Sequence, residues 1–266
     1  MLTVISHIFN EELLLPYWLK HHKTLFDHGI LIDFGCTDKS LDIVHDLCPT
    51  WEIVPLKYPE PENAARMADW QIMEIEDTLS GWKVALNTTE FIVRANLKNY
   101  LDNLPPNVNG LCTQGYYIIE TPRQVIEGLT DDNLLLQRTC GYIESQKLGG
   151  WQSHFGPLRH RLIHRLSNGD YSGGRHFHKI PWPVDQNIPL AWFGWGLPKI
   201  KKARNQSIQT RWQRHQGFHC DHQTWTDTQV DENWRRQLMV SYVIPRQHPV
   251  YRQQLEEIQQ QSHGPS

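Results

Sequence analysis

The stretch Ile30-Leu31-Ile32-Asp33-Phe34-Gly35-Cys36-Thr37-Asp38-Lys39-Ser40 carries the main signal for the fold of this chain. Its first three residues are apolar and predict a short buried strand. The turn that follows contains a glycine, and Asp38 can cap the helix predicted after it. A strand that ends in a polar turn and leads into a helix is the basic unit of an α/β fold.

The same unit repeats on both sides of this stretch. Strands are predicted at 2–9, 51–56 and 82–86, with helices at 14–26, 41–47 and 64–79 between them. The alternation predicts an α/β fold with a mostly parallel sheet and flanking helices, whose strands present their carboxyl ends at one edge, where ligands bind. After residue 100 the pattern loosens into a strand at 115–119, a helix at 131–139 and an irregular C-terminal segment.

Composition limits the class of protein. The chain has 266 residues, 39% of them hydrophobic, and a net charge of −3. It can therefore bury one substantial core. It also lacks the overall positive charge expected of a protein that binds nucleic acid. No apolar run approaches the ~20 residues that span a bilayer. The N-terminus lacks a secretory leader, and five widely spaced cysteines suit reduced thiols, so a cytoplasmic protein is expected.

Three motifs, taken in order, resemble the family 2 glycosyltransferases, in particular the branch with NE…WL.HH, then D.GSTD.S, then W…LD.DEF. The matching residues are Asn10, Glu11, Trp18, Leu19, His21, His22, Asp33, Gly35, Thr37, Asp38, Ser40, Trp82, Leu86, Glu90 and Phe91. The resemblance covers about the first third of the chain. It implies a GT-A, Rossmann-like fold and transfer of a sugar from a nucleotide-sugar donor to a glycan, a lipid-linked molecule or another hydroxyl acceptor, with inversion.

The resemblance also implies an organisation of the chain and a nucleotide site. Residues 1–95 would bind the nucleotide sugar, and 96–252 would form the acceptor side and a closing segment of the same domain. Separately, the glutamine-rich composition of 253–266 predicts a polar tail that frays. The nucleotide-binding candidates follow the predicted strands: Asn10, Glu11, Asp33, Asp38, Asn87 and Thr89. Spacing alone favours a capped turn with a purely structural role for Asp33, and the resemblance to the family reverses that preference.

The chain departs from the family pattern where the metal-binding acids are expected. It reads Leu86-Asn87-Thr88-Thr89-Glu90-Phe91, so both aspartates of LDxDEF are absent. In the enzymes that this chain resembles, those acids help hold Mg²⁺ or Mn²⁺. An amide and a hydroxyl supply oxygens without charge, so any such ion is expected to bind weakly. Its ligands would be Asn87, Thr89, Glu90 and His176.

Positive charge for the leaving diphosphate would then come from the protein itself. Four basic residues follow Gly173-Gly174 and resemble the histidine-containing segment that closes on the diphosphate in GT-A enzymes: Arg175, His176, His178 and Lys179. Arginine can bind phosphate through two parallel hydrogen bonds, in a bidentate contact. A solvated basic loop is the alternative interpretation of this segment.

The catalytic base and the acceptor site have two candidates each. Glu90 and Glu120 both follow predicted strands at the active edge, and either carboxylate could take the proton of an acceptor hydroxyl. Trp192 and Trp195, set among glycines beside a basic run, are candidates for an acceptor platform or for peripheral contact with a membrane.

Two rival functions stay open at the level of sequence. A GT-A protein that has lost its acids could bind a nucleotide or a glycan without turnover. A zinc-dependent hydrolase could use the histidine-rich segment with His215, His219, Cys220 and His222. The sequence does not specify the donor, the acceptor or the oligomeric state.

Overall fold

The secondary structure is described here from a computed structural model over residues 1–57, 64–143, 160–172, 174–175, 177–179, 182–212 and 223–263. The strands are β1 (Leu2–Ile8), β2 (His28–Asp33), β3 (Glu52–Pro55), β4 (Trp82–Ala85), β5 (Glu90–Ile92), β6 (Gly110–Ile118), β7 (Cys140–Tyr142), β8 (Leu162–His164), β9 (Tyr171–Ser172), β10 (Phe177–His178), β11 (Val184–Trp192) and β12 (Tyr242–Val243). The helices are α1 (Leu15–His22), α2 (Ser40–Leu47), α3 (Ala64–Thr78), α4 (Leu97–Asp102), α5 (Pro122–Glu127), α6 (Leu134–Gln137), α7 (Pro198–Trp212), α8 (Asp227–Leu238), α9 (Ile244–Gln247) and α10 (Pro249–His263).

One large sheet organises the described ranges. Its strands follow the order β12-β7-β6-β8-β4-β1-β2-β3, with β11 beside β6 and β5 beside β11. Strands β3, β2, β1 and β4 are parallel neighbours, and β6 and β11 run in the same direction, whereas β5, β7 and β8 run against it. The predicted fold class is confirmed: a mixed α/β protein with a largely parallel central sheet and flanking helices.

The shared direction of these strands places their carboxyl ends on one side of the sheet. Strands β1, β2, β4, β6 and β11 all end on the same side, which we call the carboxyl edge. Side chains alternate along each strand, so Val4 and Leu31 pack in the core that contains Trp18 of α1. Ile5 and Ile32 pack in a second core on the opposite face. Helices thus cover both faces and leave the carboxyl edge for ligands.

Helix α10 packs against the core near the C-terminus. The predicted polar tail at 253–266 was expected to be disordered because it is rich in glutamine, but α10 extends to His263. Tyr251, Leu255 and Ile258 are all buried and lie in the main core. Their spacing places them on one helix face, which explains the packing. The prediction of fraying was therefore wrong for the part of the tail that the structure describes.

The helix predicted at 131–139 is shorter than expected. It is reduced to α6, which begins after Asn133, whose side-chain Oδ1 accepts a hydrogen bond from the backbone N–H of Leu135 at 3.0 Å. Within the described residues, none of the helices has the length and apolar composition needed to cross a bilayer.

Candidate active site

The turns that follow β1 and β2 are tied together at the carboxyl edge. Asn10 adopts a left-handed backbone conformation with a φ of 51°. Its Oδ1 accepts a hydrogen bond from the backbone N–H of Thr37 at 2.8 Å. The Oδ1 of Asp33 accepts from the backbone N–H groups of Gly35 and Cys36, each at 2.8 Å. Asn10 and Asp33 are therefore brought to one place, and Asp33 also stabilises its own turn.

Asp38 has a structural task in the same region. Its Oδ1 accepts from the backbone N–H of Ser40 at 2.9 Å, which supports the start of α2, and its Oδ2 accepts from that of Glu12 at 3.1 Å. These bonds join the turn after β2 to the turn after β1. Its predicted contact with the nucleotide stays a prediction.

Glu11 is a buried carboxylate with one unused oxygen. The side chain is only 6% exposed. Its Oε1 accepts from Arg204 Nε at 2.9 Å and Nη2 at 2.8 Å, whereas Oε2 has no hydrogen-bond partner among the residues that the structure describes. Burial raises the pKa of Glu11, and the Arg204 guanidinium and the Thr88 side chain oppose that rise. A buried oxygen left without a donor costs about 1 to 3 kcal/mol, so a ligand that donates here would be stabilised.

Helix α7 lies against this edge, which the sequence did not indicate. Besides the contact from Arg204, the Oγ of Ser207 accepts a hydrogen bond from Asn10 Nδ2 at 2.9 Å. Two candidate nucleotide-binding residues, Asn10 and Glu11, are thus held by a helix that lies almost two hundred residues away in the chain.

Asn87 joins two charged side chains at the end of β4. Its backbone N–H donates to Glu90 Oε2 at 2.7 Å, and its Nδ2 donates to Oε1 at 3.3 Å. Its Oδ1 accepts a short hydrogen bond from Arg175 Nη2. The amide therefore uses both of its polar atoms, one toward an anion and the other toward a cation.

Glu90 is sealed in an ion pair. Arg161 donates to it twice, from Nε to Oε2 at 2.8 Å and from Nη2 to Oε1 at 2.5 Å. Neither side chain is more than 1% exposed. Each oxygen of Glu90 already accepts from Arg161 and Asn87, so an acceptor hydroxyl would have to displace a buried donor to reach it. The geometry therefore gives no support to Glu90 as the base.

Arg175 lies on the same network and is only 2% exposed. Its Nη1 pairs with Asp69 Oδ1 at 3.0 Å, and the backbone N–H of Gly174 donates to Asp69 Oδ2 at 2.8 Å. Its carbonyl oxygen accepts from Arg161 Nη1 at 2.8 Å. Its Nε has no hydrogen-bond partner within the described ranges. Asp69 was missed at the sequence level because it is one acid inside an ordinary helix.

His7, near the end of β1, was also missed at the sequence level. Its pKa reflects burial and the positive charge around it. Burial lowers its pKa well below the ordinary value, and the guanidiniums of Arg175, Arg204 and Arg161 lower it further. The ring is therefore neutral, and its Nδ1 lies 3.4 Å from Arg175 Nη2. Each guanidinium is paired with a buried carboxylate: Arg204 with Glu11, Arg175 with Asp69 and Arg161 with Glu90.

The residues at this edge do not suit a divalent metal ion. Of the four candidate ligands, Asn87 Oδ1 is bound to one guanidinium and Glu90 to another, and a metal ion beside them would face two cations. Thr89 is buried, and its carbonyl accepts from the backbone N–H of Phe193. His176 lies outside the described residues. In the part of the chain that is described, no three His, Cys, Asp or Glu side chains form a metal-binding group.

The predicted diphosphate residues are not gathered into one cluster, as far as the structure describes them. Arg175 is buried as above, and His178 Nε2 lies 3.4 Å from Cys112 Sγ. Lys179 is exposed, with its Nζ 3.7 Å from Asp170 Oδ2. Their assignment to the diphosphate stays a prediction.

Glu120 follows β6 at the carboxyl edge and is 4% exposed. Its Oε1 accepts from Arg138 Nε at 2.9 Å. Its backbone N–H donates to the carbonyl of Gly196 at 2.9 Å, and its carbonyl accepts from Trp234 Nε1 at 2.9 Å. Burial raises the pKa of Glu120, although Arg138 opposes the rise. A higher pKa makes this carboxylate a stronger base than an exposed glutamate.

The two acceptor candidates are both part of an aromatic cluster beside Glu120. Trp192 is buried, and its ring lies edge-on to Tyr117 with centroids 4.6 Å apart. Trp195 is half-buried, 4.9 Å from Trp192 and 6.1 Å from Trp225. Trp192 is therefore a core residue, whereas Trp195 reaches the surface. The acceptor role of both stays a prediction.

The proposed zinc ligands His215, His219, Cys220 and His222 lie outside the residues that the structure describes.

No protein-family model and no curated protein matches the chain. Among solved structures it is similar to glucosyl-3-phosphoglycerate synthase from Mycobacterium tuberculosis, in complex with Mn²⁺, UDP and glucosyl-3-phosphoglycerate, at 16% identity and a TM-score of 0.32, over 48% of this chain and 46% of that one. It is also similar to TarS from S. aureus, at 11% identity and a TM-score of 0.44, over 84% of this chain and 41% of that one. The chain thus spans less than half the length of either protein. Scores this low do not assign a function, which has to be argued from the carboxyl edge.

Proposed function

We propose that this protein is a glycosyltransferase that binds a nucleotide sugar at the carboxyl edge and transfers its sugar to a hydroxyl group. One observation carries the proposal. Glu11 holds a buried carboxylate oxygen that has no hydrogen-bond donor among the described residues, next to the turn that contains Asp33, at the ends of two adjacent parallel strands. In open α/β sheets, ligands bind in this position.

The chemistry of the edge suits a nucleotide. Ribose hydroxyls and the N–H groups of a base are donors, and Glu11 and Asp33 offer carboxylate oxygens to receive them. The nearby guanidiniums add positive charge for phosphate oxygens. A ligand that donates at one end and carries anionic oxygens at the other fits both requirements. The proposal that the chain belongs to family 2 depends on the ordered motifs in its first third.

For the catalytic base we favour Glu120 over Glu90. The base has to accept a proton from the acceptor hydroxyl while the sugar is transferred with inversion. Both oxygens of Glu90 are already occupied by Arg161 and Asn87. The hydrogen bond from Arg138 Nε reaches Oε1 of Glu120, and burial raises its pKa, which favours proton uptake. Trp195, the more exposed ring beside it, would then contact the acceptor.

The second candidate is a protein that binds a nucleotide sugar without turnover. The sealed Glu90–Arg161 pair favours it, because a carboxylate at the place of the family's acidic motif has been given a structural partner. The two candidates predict the same binding and differ in product formation.

A donor panel tests both candidates. Thermal unfolding is measured with UDP-, GDP-, dTDP- and CMP-sugars, since a ligand at 100 times its Kd adds about 2.7 kcal/mol to the free energy of unfolding. Glu11→Gln should lose the stabilisation, whereas Glu12→Gln, at the exposed neighbouring position, should retain it. Stabilisation with slow donor hydrolysis or sugar transfer supports the enzyme, and stabilisation alone supports the binder. If no sugar nucleotide stabilises the protein, both are rejected.

A further inference from the structure

We infer that Arg175 is a built-in cation for the donor's diphosphate and occupies the place that a divalent ion would take. The inference depends on the proposed function for the identity of the ligand. Contacts within the protein hold the Arg175 guanidinium in a fixed geometry. Its positive charge then prevents a metal ion from binding at the same position.

Arg175 lies at the position where a metal ion would be expected. Asn87 stands where the resemblance places the first metal-binding aspartate, and its Oδ1 is bound by Arg175 Nη2. A positive group therefore already contacts the atom that a metal ion would coordinate. Glu90, the acid that is retained in this segment, is also bound by a guanidinium, that of Arg161.

The Nε–H group of Arg175 is buried and has no acceptor among the described residues. Arg175 is 2% exposed, and its two terminal nitrogens have partners in Asp69, Asn87 and His7. Its Nε has none in the part of the chain that is described. Guanidinium N–H groups bind phosphate oxygens strongly. A buried guanidinium with a spare N–H, at the edge where ligands bind, calls for an anionic acceptor.

An amide at position 87 suits both of its charged neighbours. Asn87 donates from Nδ2 to Glu90 Oε1 at 3.3 Å while it accepts from Arg175. An aspartate could accept from Arg175 but would place a second carboxylate against Glu90, and like charges at that distance repel. Asparagine therefore fits an arginine beside Glu90, whereas aspartate fits a metal ion.

The backbone of Arg175 is held in an uncommon conformation. Its φ is 65°, a left-handed value that costs a non-glycine residue free energy. Asp69 binds both the guanidinium and the backbone N–H of the preceding Gly174, and Arg161 binds the carbonyl of Arg175. These contacts fix the cation before any ligand arrives. A charge fixed in advance stabilises a developing anion without reorganisation.

The first experiment titrates inorganic pyrophosphate by calorimetry in EDTA. The wild-type protein should bind it, and Arg175→Met should weaken binding about tenfold or more, because a charge-assisted hydrogen bond is lost. Arg165→Met removes the same charge at the opposite end of the sheet, where Arg165 Nε donates to Asn109 Oδ1, and should bind as the wild type does. Absence of binding by the wild type, or equal binding by Arg175→Met, would overturn the inference.

The second experiment follows Mn²⁺ binding by electron paramagnetic resonance without any phosphate present. The wild type should bind no Mn²⁺ at this edge, because Arg175 holds the Asn87 side chain. Asn87→Asp should bind none either, because Arg175 would pair with the new carboxylate. Asn87→Asp combined with Arg175→Met should gain a site. Mn²⁺ binding by the wild type, or by Asn87→Asp alone, contradicts the inference.

These outcomes are separable from the proposed function. Pyrophosphate binding that depends on Arg175, without donor turnover, retains the built-in cation and rejects the transferase. Sugar-nucleotide turnover that requires Mn²⁺ retains the transferase and rejects the built-in cation. If Arg175→Met does not fold, Arg175→Lys keeps the charge but loses the planar geometry and should still weaken pyrophosphate binding.

Discussion

At the scale of single residues, Asp33 serves two purposes that can be separated by substitution. Its Oδ1 accepts from two backbone N–H groups of its own turn, and its charge is proposed to receive the base or ribose. Asp33→Asn keeps an acceptor for the turn but loses the charge, whereas Asp33→Ala loses both. Both should weaken nucleotide binding by about 1.5 to 3 kcal/mol in calorimetry. Only Asp33→Ala should also lower the melting temperature. Wild-type affinity in Asp33→Asn would remove Asp33 from the ligand site.

Glu90 should behave as a structural residue. Glu90→Gln leaves the guanidinium of Arg161 buried without its counter-charge, and breaking such a pair costs about 3 to 5 kcal/mol. Chemical denaturation measures this loss directly. His28 Nε2 lies 3.0 Å from Oε1 of the exposed Glu52, so Glu52→Gln is a control expected to change stability by less than about 1 kcal/mol. A stable Glu90→Gln variant with no turnover would instead return Glu90 to the role of base.

Glu120 should behave as the catalytic base. Glu120→Gln is expected to reduce kcat by about 10² to 10⁴ while donor affinity stays close to that of the wild type. Since this change also breaks the ion pair with Arg138, Arg138→Gln is the matched control: it breaks the same pair and keeps the carboxylate. If the two variants lose the same turnover, the ion pair matters and the base lies elsewhere.

At the scale of elements, the strands in the first half of the sheet could be predicted from the sequence. The long-range contacts that form the site could not. The strand predicted at 2–9 is β1 at Leu2–Ile8, and that at 82–86 is β4 at Trp82–Ala85. Apolar runs and polar turns are local signals, so they survive in a single sequence. The contact between Arg204 and Glu11 spans 193 residues, and that between Arg175 and Asp69 spans 106. No local pattern encodes such contacts.

The close approach of β6 to the segment after β11 gives an element-scale prediction. A Cβ on Gly196 would lie 1.7 Å from the carbonyl oxygen of Ile118. Gly196→Ala must therefore push this segment away from β6, at a cost of about 1 to 3 kcal/mol, and should displace Glu120, whose backbone N–H binds Gly196. Stability and kcat should both fall.

Gly128→Ala is the contrasting variant for this test. A Cβ there would meet nothing within 4 Å, although the φ of 77° is strained for alanine. It should lose about 1 to 2 kcal/mol of stability and keep its turnover. Full activity in Gly196→Ala would show that the position of Glu120 is not important for transfer.

At the scale of the whole molecule, the net charge of the sequence hides how its charges are buried. Three guanidinium–carboxylate pairs lie around the end of β1. His21 and His22 are buried and His7 is half-buried, and a lowered pKa keeps all three rings neutral. His21 Nε2 lies 2.7 Å from the carbonyl of Ile92, and His22 Nδ1 lies 3.0 Å from that of Trp18. The motif that suggested a nucleotide-sugar enzyme therefore supplies two of its histidines to the core. Sequence spacing alone could not distinguish these two roles.

The buried histidines predict that the protein loses stability in mild acid. Burial lowers the pKa of His21 from 6.5 to about 4, and it lowers those of His7 and His22 as well. As the pH falls below 6.5, the unfolded chain takes up protons that the folded protein refuses, so the free energy of unfolding decreases until the folded pKa is reached. For His21 the loss at pH 5.5 is about 1.4 kcal/mol. The raised pKa values of Glu11 and Glu120 act in the opposite direction, because the folded protein then binds protons first.

The contribution of one histidine can be isolated by comparing how much the free energy of unfolding changes with pH in each variant, and not the free energies themselves. Urea unfolding at pH 7.5 and pH 5.5 gives the change in unfolding free energy for each variant. His21→Gln removes the titrating ring and should reduce that change by about 1.4 kcal/mol. His45→Gln, on the exposed face of α2, should leave it unaltered, and any general damage to the core by His21→Gln cancels because both pH values are measured on the same variant. If His21→Gln and the wild type lose equal stability between the two pH values, protonation of His21 does not oppose folding, and the acid sensitivity has to be assigned to His7 or His22.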